Sequence, residues 1–127
     1  MEDDKIMLDT NTLINFLRGE SVEVELIGDK KIFISEITEM EIQCQPNFNS
    51  AYRKKLKVFL SSLSIIRLNE EIRETAISIR LTTRMKLMDS IIAATAQLMN
   101  LPLATCDEKF ESVKTAMIIL LPAVEKR

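Results

Sequence analysis

Histidine is absent from the 127 residues. That gap removes Ser-His-Asp and Cys-His nucleophilic catalysis, His-ligated zinc and any imidazole acid or base. Cysteine is scarce as well: Cys44 and Cys106 stand far apart and lack the close pairing of a zinc knuckle or a redox motif, which fits free thiols in a reducing compartment. There is no excess of positive charge. Seventeen Lys plus Arg against nineteen Asp plus Glu give a formal charge of −2, so the surface as a whole exerts no pull on polyanions, and any nucleic acid must be held locally. No apolar run approaches the ~20 residues that cross a bilayer, and acidic Glu2, Asp3 and Asp4 stand where a secretory leader would carry basic residues. The expectation is a soluble protein of the cytoplasm. What is present, 46% hydrophobic and 28% charged residues, suffices for one domain with its own core over residues 1–127.

Ile6, Met7 and Leu8 form an apolar run without period-2 alternation, as in a strand buried on both faces of a parallel sheet. Leu13, Ile14, Phe16 and Leu17 then predict a short helix that stops at Gly19. Residues 31–35 (KIFIS) predict a second strand, followed by a helix carrying Ile37, Met40 and Glu41. Pro46, Asn47, Asn49 and Ser50 mark a loop, after which Tyr52, Leu56, Phe59, Leu60 and Leu63 recur at helical spacing. Further strands are predicted at 64–68 (SIIRL), 101–105 (LPLAT) and 117–121 (MIILL). Between them lie one helix capped by Asn69, with Ile72, Ala76 and Ile79 inward, and another starting near Asp89. Strands alternating with helices make an α/β fold, a mostly parallel sheet of four to five strands flanked by helices.

In open α/β folds, ligands bind outside the carboxyl ends of the strands. Asp9 closes the first strand, Asp107 follows the fourth by two residues, and Glu41 lies on the helix after the second; Asp89, at the start of a helix, is able to face the same edge. Four carboxylates gathered together repel one another unless a cation neutralises them. All-oxygen ligands select Mg²⁺ or Mn²⁺ over zinc or copper, and Mg²⁺ typically shares its shell with waters and phosphate oxygens. This composition points to phosphate-ester hydrolysis by a water that a divalent cation helps to deprotonate, chemistry that needs no imidazole.

The segments MLDTNTLINFL (7–17), ISEITEMEI (34–42), KLMDSIIAATA (86–96) and LPLATCDEKF (101–110), in that order, resemble the motifs of PIN-domain proteins. In size and motif order the chain is similar to the toxin ribonucleases of VapBC toxin-antitoxin pairs. The resemblance implies a PIN fold, Asp9, Glu41, Asp89 and Asp107 as the metal-binding and catalytic quartet, and supporting roles for Asn11, Ser35, Thr38 and Thr105. It further implies Mg²⁺ or Mn²⁺ as cofactor, RNA of the tRNA or rRNA class as substrate, a homodimer and a cognate antitoxin. Two departures stand out: Met88 where the family often has Pro, and a segment 44–50 without the small residue common after the second motif.

Each residue also has a plainer reading. Asp9 and Asp89 are good helix caps, Glu41 competes with Glu36 and Glu39 for the inward position, and Asn11, Ser35, Thr38 and Thr105 suit ordinary turns and helix starts. Cys106 reads as a small filler. Arg53, Lys54, Lys55 and Lys57, with Tyr52 beside them, and Arg80, Arg84 and Lys86 are the two basic runs. They are either solvated helix faces or contacts for RNA backbone phosphates. Two other functions compete with a nuclease. One is a catalytically inactive PIN-fold interaction module. The other is an aspartyl-nucleophile phosphatase, which residues 8–12 (LDTNT) superficially suggest, but Asn11 stands where its second Asp is needed.

Overall fold

The computed structural model describes residues 4–127; Glu2 and Asp3 of the acidic start lie outside the described residues. Five strands, β1 (Lys5–Leu8), β2 (Lys31–Ser35), β3 (Ser64–Ile66), β4 (Leu103–Thr105) and β5 (Ile118–Leu120), form one sheet in the order β3-β2-β1-β4-β5. Every pairing is parallel. The helices are α1 (Thr10–Leu17), α2 (Ser21–Ile27), α3 (Glu36–Gln43), α4 (Ser50–Ser61), α5 (Glu70–Thr83) and α6 (Leu87–Met99). The α2 helix has no counterpart in the sequence-based expectation, because seven residues bracketed by Gly19 and Gly28 give too short a periodic signal. Among the described residues no helix is long and apolar enough to cross a membrane.

Alternation along the central strand explains the layering. Ile6 and Leu8 pack on one face of the sheet with Leu13, Ile14, Ile27, Ile42, Leu56, Leu60 and Ala104. Met7 points the other way into a second cluster with Ile72, Ala76, Ile79, Ile92, Leu103 and Phe110. After Lys5 at its exposed start, β1 is apolar at three successive positions, as a sheet covered on both faces requires. On α5, Ile72, Ala76 and Ile79 are buried as their spacing predicts, and Asn69 Oδ1 accepts from Ile72 N at 2.8 Å to cap the helix. Ala93, Ala94 and Ala96 of α6 are fully buried, and their small side chains admit the close approach of α5. On α3, Ile37, Thr38 and Ile42 are buried, while Met40 is 51% exposed.

Strand order reverses beside β1. The chain proceeds from β1 outward to β2 and β3, then returns to the other side of β1 as β4 and β5. The loops leaving β1 and β4 therefore diverge, and a crevice opens at their carboxyl ends.

Candidate functional site

Asp9 follows β1 directly and is the N-cap of α1. Its Oδ1 accepts from Thr12 N at 3.0 Å, and its Oδ2 accepts from the Thr105 hydroxyl at 2.6 Å. The capping and the inward-facing readings of Asp9 are thus compatible: one oxygen serves the helix and the other meets β4. Asp107, past the end of β4, caps the 3₁₀ turn at Glu108–Ser112 by accepting from Lys109 N at 2.9 Å. Its own N–H donates to Thr105 Oγ1 at 3.0 Å. The buried Thr105 hydroxyl consequently ties together the two acids that flank the reversal of strand order.

Glu41 comes from α3, which begins with Ser35 as N-cap, its Oγ accepting from Ile37 N at 3.1 Å. The Thr10 hydroxyl donates to Glu41 Oε1 at 2.6 Å and lies 3.2 Å from Thr38 Oγ1. Asp89 occupies the first turn of α6, whose N-cap is Lys86, so Asp89 is not the cap of its helix. These four carboxylates, carried by four different segments, line one cleft of about 220 Å³ together with Thr10, Asn11, Gln45, Ile92 and Phe110.

The acids perturb one another. Burial pushes the Asp9 carboxyl above its ordinary value, against the hydrogen bonds from Thr105 and Thr12, and the Asp107 charge adds to the rise; the residue is only 6% exposed. Asp89 is raised first by burial and then by the charges of Asp107, Glu41 and Asp9, partly offset by Lys86. Among the described residues, no three acidic or Cys side chains are set to hold a metal ion directly. The oxygen donors that meet in the cleft are of the kind a hard divalent cation takes, with water and substrate oxygens completing its shell. The arrangement does not fit an all-protein cage.

Of the expected supporting residues, Asn11 lines the cleft and Thr105 holds Asp9 and Asp107. Thr38 sits behind the wall against Thr10. Ser35 is not among the lining residues; its hydroxyl starts the helix that carries Glu41. Thr10, Gln45 and Phe110 were missed by sequence reasoning. Thr10 and Phe110 had signals, a hydroxyl adjacent to the first acid and the last position of the segment LPLATCDEKF, whereas Gln45 had none short of the folded chain.

The basic residues divide. Arg53 is engaged, donating to Gln43 O and, at 2.7 Å, to Gln45 O. It braces the segment after α3 that brings Gln45 to the cleft. Lys54, Lys55 and Lys57 are exposed on α4, as are Arg84 and Lys86 between α5 and α6. Lys86 is near enough to influence Asp89.

The family model described as the PIN domain matches residues 6–116. No curated protein sequence matches the chain. Among solved structures, a chain of a toxin-antitoxin complex from Klebsiella pneumoniae superposes with a TM-score of 0.81 at 27% identity, covering 93% of this chain and 99% of that one. A chain of DNA-bound VapBC from Salmonella typhimurium gives 0.72 at 25% identity, with 91% and 96% covered. One from VapBC2 of Rickettsia felis, bound to a promoter DNA fragment, gives 0.77 at 22% identity, with 92% and 98% covered. With the family model spanning most of the chain, and with the fold, strand order and acid positions already described, this protein belongs to the PIN domain family.

Proposed function

We propose that the protein is a metal-dependent endoribonuclease, the toxin of a VapBC-type toxin-antitoxin pair, working as one domain over residues 1–127 in the cytoplasm. The observation that carries this reading is the meeting of Asp9, Glu41, Asp89 and Asp107 in one cleft at the point where strand order reverses. Burial, and after it the charges of Asp107, Glu41 and Asp9, raise Asp89, so the cleft favours a divalent cation, Mg²⁺ or Mn²⁺, held by a subset of the four. Such a cation, when bound, supplies charge neutralisation at the scissile phosphate and a more acidic water. The residues of the chain do the rest. Thr105 fixes Asp9 and Asp107 relative to each other, Thr10 fixes Glu41, and Asn11 and Gln45 offer amide groups to the RNA at the cleft mouth.

The solved neighbours come from toxin-antitoxin complexes, which supports a cognate antitoxin as partner. Exposed apolar side chains on α5 and at the start of α6, Leu81 at 78% and Met88 at 50% exposure among them, supply surface for a homodimer. The substrate class is RNA, of the tRNA or rRNA type. Lys54, Lys55, Lys57, Arg84 and Lys86 are available for its backbone.

The test is cleavage of total tRNA and rRNA with Mg²⁺ or Mn²⁺, with and without a chelator, for the wild type and Asp9→Asn. Asn keeps the α1 cap, so the variant stays folded and loses cleavage. Undiminished cleavage by Asp9→Asn refutes the assignment. Binding of Mn²⁺ without cleavage of any RNA favours the inactive interaction module.

A further inference from the structure

Beyond Asp9 and Asp107 the cleft adjoins a second cavity of about 470 Å³. Asp9, Asn11, Gln45 and Asp107 line both spaces, so a strand lying against the carboxylates continues into the second one. There Asn15 of α1, Arg18 just past the end of that helix and Glu20 join them, and the opposite wall is residues 123–125 of the C-terminal segment, among them the carboxylate of Glu125. Amides donate and accept hydrogen bonds, and a guanidinium pairs with phosphate. Asn11, Asn15, Gln45 and Arg18 therefore match the base edges and backbone of unpaired nucleotides.

Arg127 ties the C-terminal wall to α2. Arg127 donates through Nη1 to Glu23 Oε1 at 2.6 Å and through Nη2 to Glu23 Oε2 at 2.8 Å. Its Nε and Nη2 also donate to Pro122 O at 3.1 and 2.8 Å, which closes the segment on itself. Glu23, on α2, is fully buried. A buried carboxylate is costly unless matched, and the match comes from a residue 104 positions away. Asn15 Nδ2 donates to the same carboxylate at 3.0 Å while also lining the cavity, so the pair is linked to the wall on both sides. Burial by itself would push the Glu23 carboxyl up, yet the Arg127 and Asn15 hydrogen bonds outweigh it and hold it below its ordinary value.

Resting on the nuclease reading above, we propose that Glu23 and Arg127 are positioning residues whose clasp holds the C-terminal segment as the outer wall of a subsite for unpaired nucleotides flanking the cut. Neither side chain touches the RNA. The clasp sets how firmly the flanking strand is gripped, and thereby how strongly the enzyme prefers long unpaired RNA to a minimal substrate.

The experiment compares kcat/KM for an unpaired oligoribonucleotide and for a trinucleotide containing the same cut, in the wild type, Arg127→Ala and Arg127→Lys. The ratio of the two values falls by about tenfold in Arg127→Ala, mainly through a higher KM for the oligonucleotide. In Arg127→Lys, which keeps the charge opposite Glu23 but loses the fork, it falls by about threefold. Should Arg127→Ala fail to fold, Arg127→Lys decides. A wild-type ratio in the folded variants overturns the clasp while leaving the nuclease intact. Absence of cleavage by the wild type on both substrates overturns the nuclease reading and the clasp with it.

Discussion

Thr105→Val removes one hydroxyl at the centre of the site and almost nothing else. The side chain is fully buried, the valine is nearly isosteric, and two contacts disappear: the 2.6 Å bond to Asp9 Oδ2 and the 3.0 Å bond from Asp107 N. A hydrogen bond to an ionised carboxylate contributes about 1.5–3 kcal/mol, against roughly 1 kcal/mol for a neutral pair. Near neutral pH the loss of both is therefore about 2.5–4 kcal/mol, which at roughly 3–5 °C per kcal/mol for a chain of this length lowers Tm by about 8–20 °C. The pH dependence has a definite sign. The folded value of Asp9 lies above 3.8, so its ionisation opposes folding; that cost is absent below 3.8 and fully present above the folded value. The Thr105 bond holds that value down, so removing it raises the value further and adds a cost that grows as pH rises. Thermal melts monitored by circular dichroism, run near neutral pH and again below 3.8, measure both. Destabilisation of equal size at the two pH values would refute the idea that this hydroxyl solvates a carboxylate charge.

Four further outcomes follow from the same geometry. Asp9→Asn and Asp89→Asn each melt higher than the wild type at neutral pH in the absence of divalent ions, because both carboxyls are raised in the folded state; calorimetry in chelator checks this. Mn²⁺ stabilises the wild type, by about 2.7 kcal/mol at a hundredfold excess over Kd, and that gain shrinks in Asp89→Asn, as melts against Mn²⁺ concentration will show. Phe110→Ala, at a residue 1% exposed that also lines the cleft, costs about 3–5 kcal/mol in denaturant titrations and impairs cleavage at temperatures where the fold persists. Asn69→Ala, which removes the α5 cap at a residue that does not line the cleft, costs about 1 kcal/mol and leaves kcat unchanged in the same RNA assay.

The expected elements that proved accurate share a physical basis. KIFIS at 31–35 is a strand of just those residues, and Ile72, Ala76 and Ile79 form the buried stripe of α5, because burial on a regular element imposes a period that sequence displays directly. Apolar character alone is a weaker guide: α3 turns Ile37 and Ile42 inward and leaves Met40 in solvent. The α2 helix escaped notice, being too short for its period to stand out. Arg53 read as a cation free for RNA, and only the folded chain shows it donating to the carbonyls of Gln43 and Gln45.

Residue types and their order along the chain were enough to determine an α/β fold, a chemistry without imidazole, and four acids each placed near a strand end or helix start. Whether those acids meet is a property of strand order, which local sequence does not encode. It is the return of β4 to the open side of β1 that sets Asp107 beside Asp9, with Thr105 between them. The pairing of Glu23 with Arg127 belongs wholly to tertiary structure. Across 104 positions no periodicity connects them, and the contact exists only because a carboxylate excluded from water needs a partner that the fold alone can deliver.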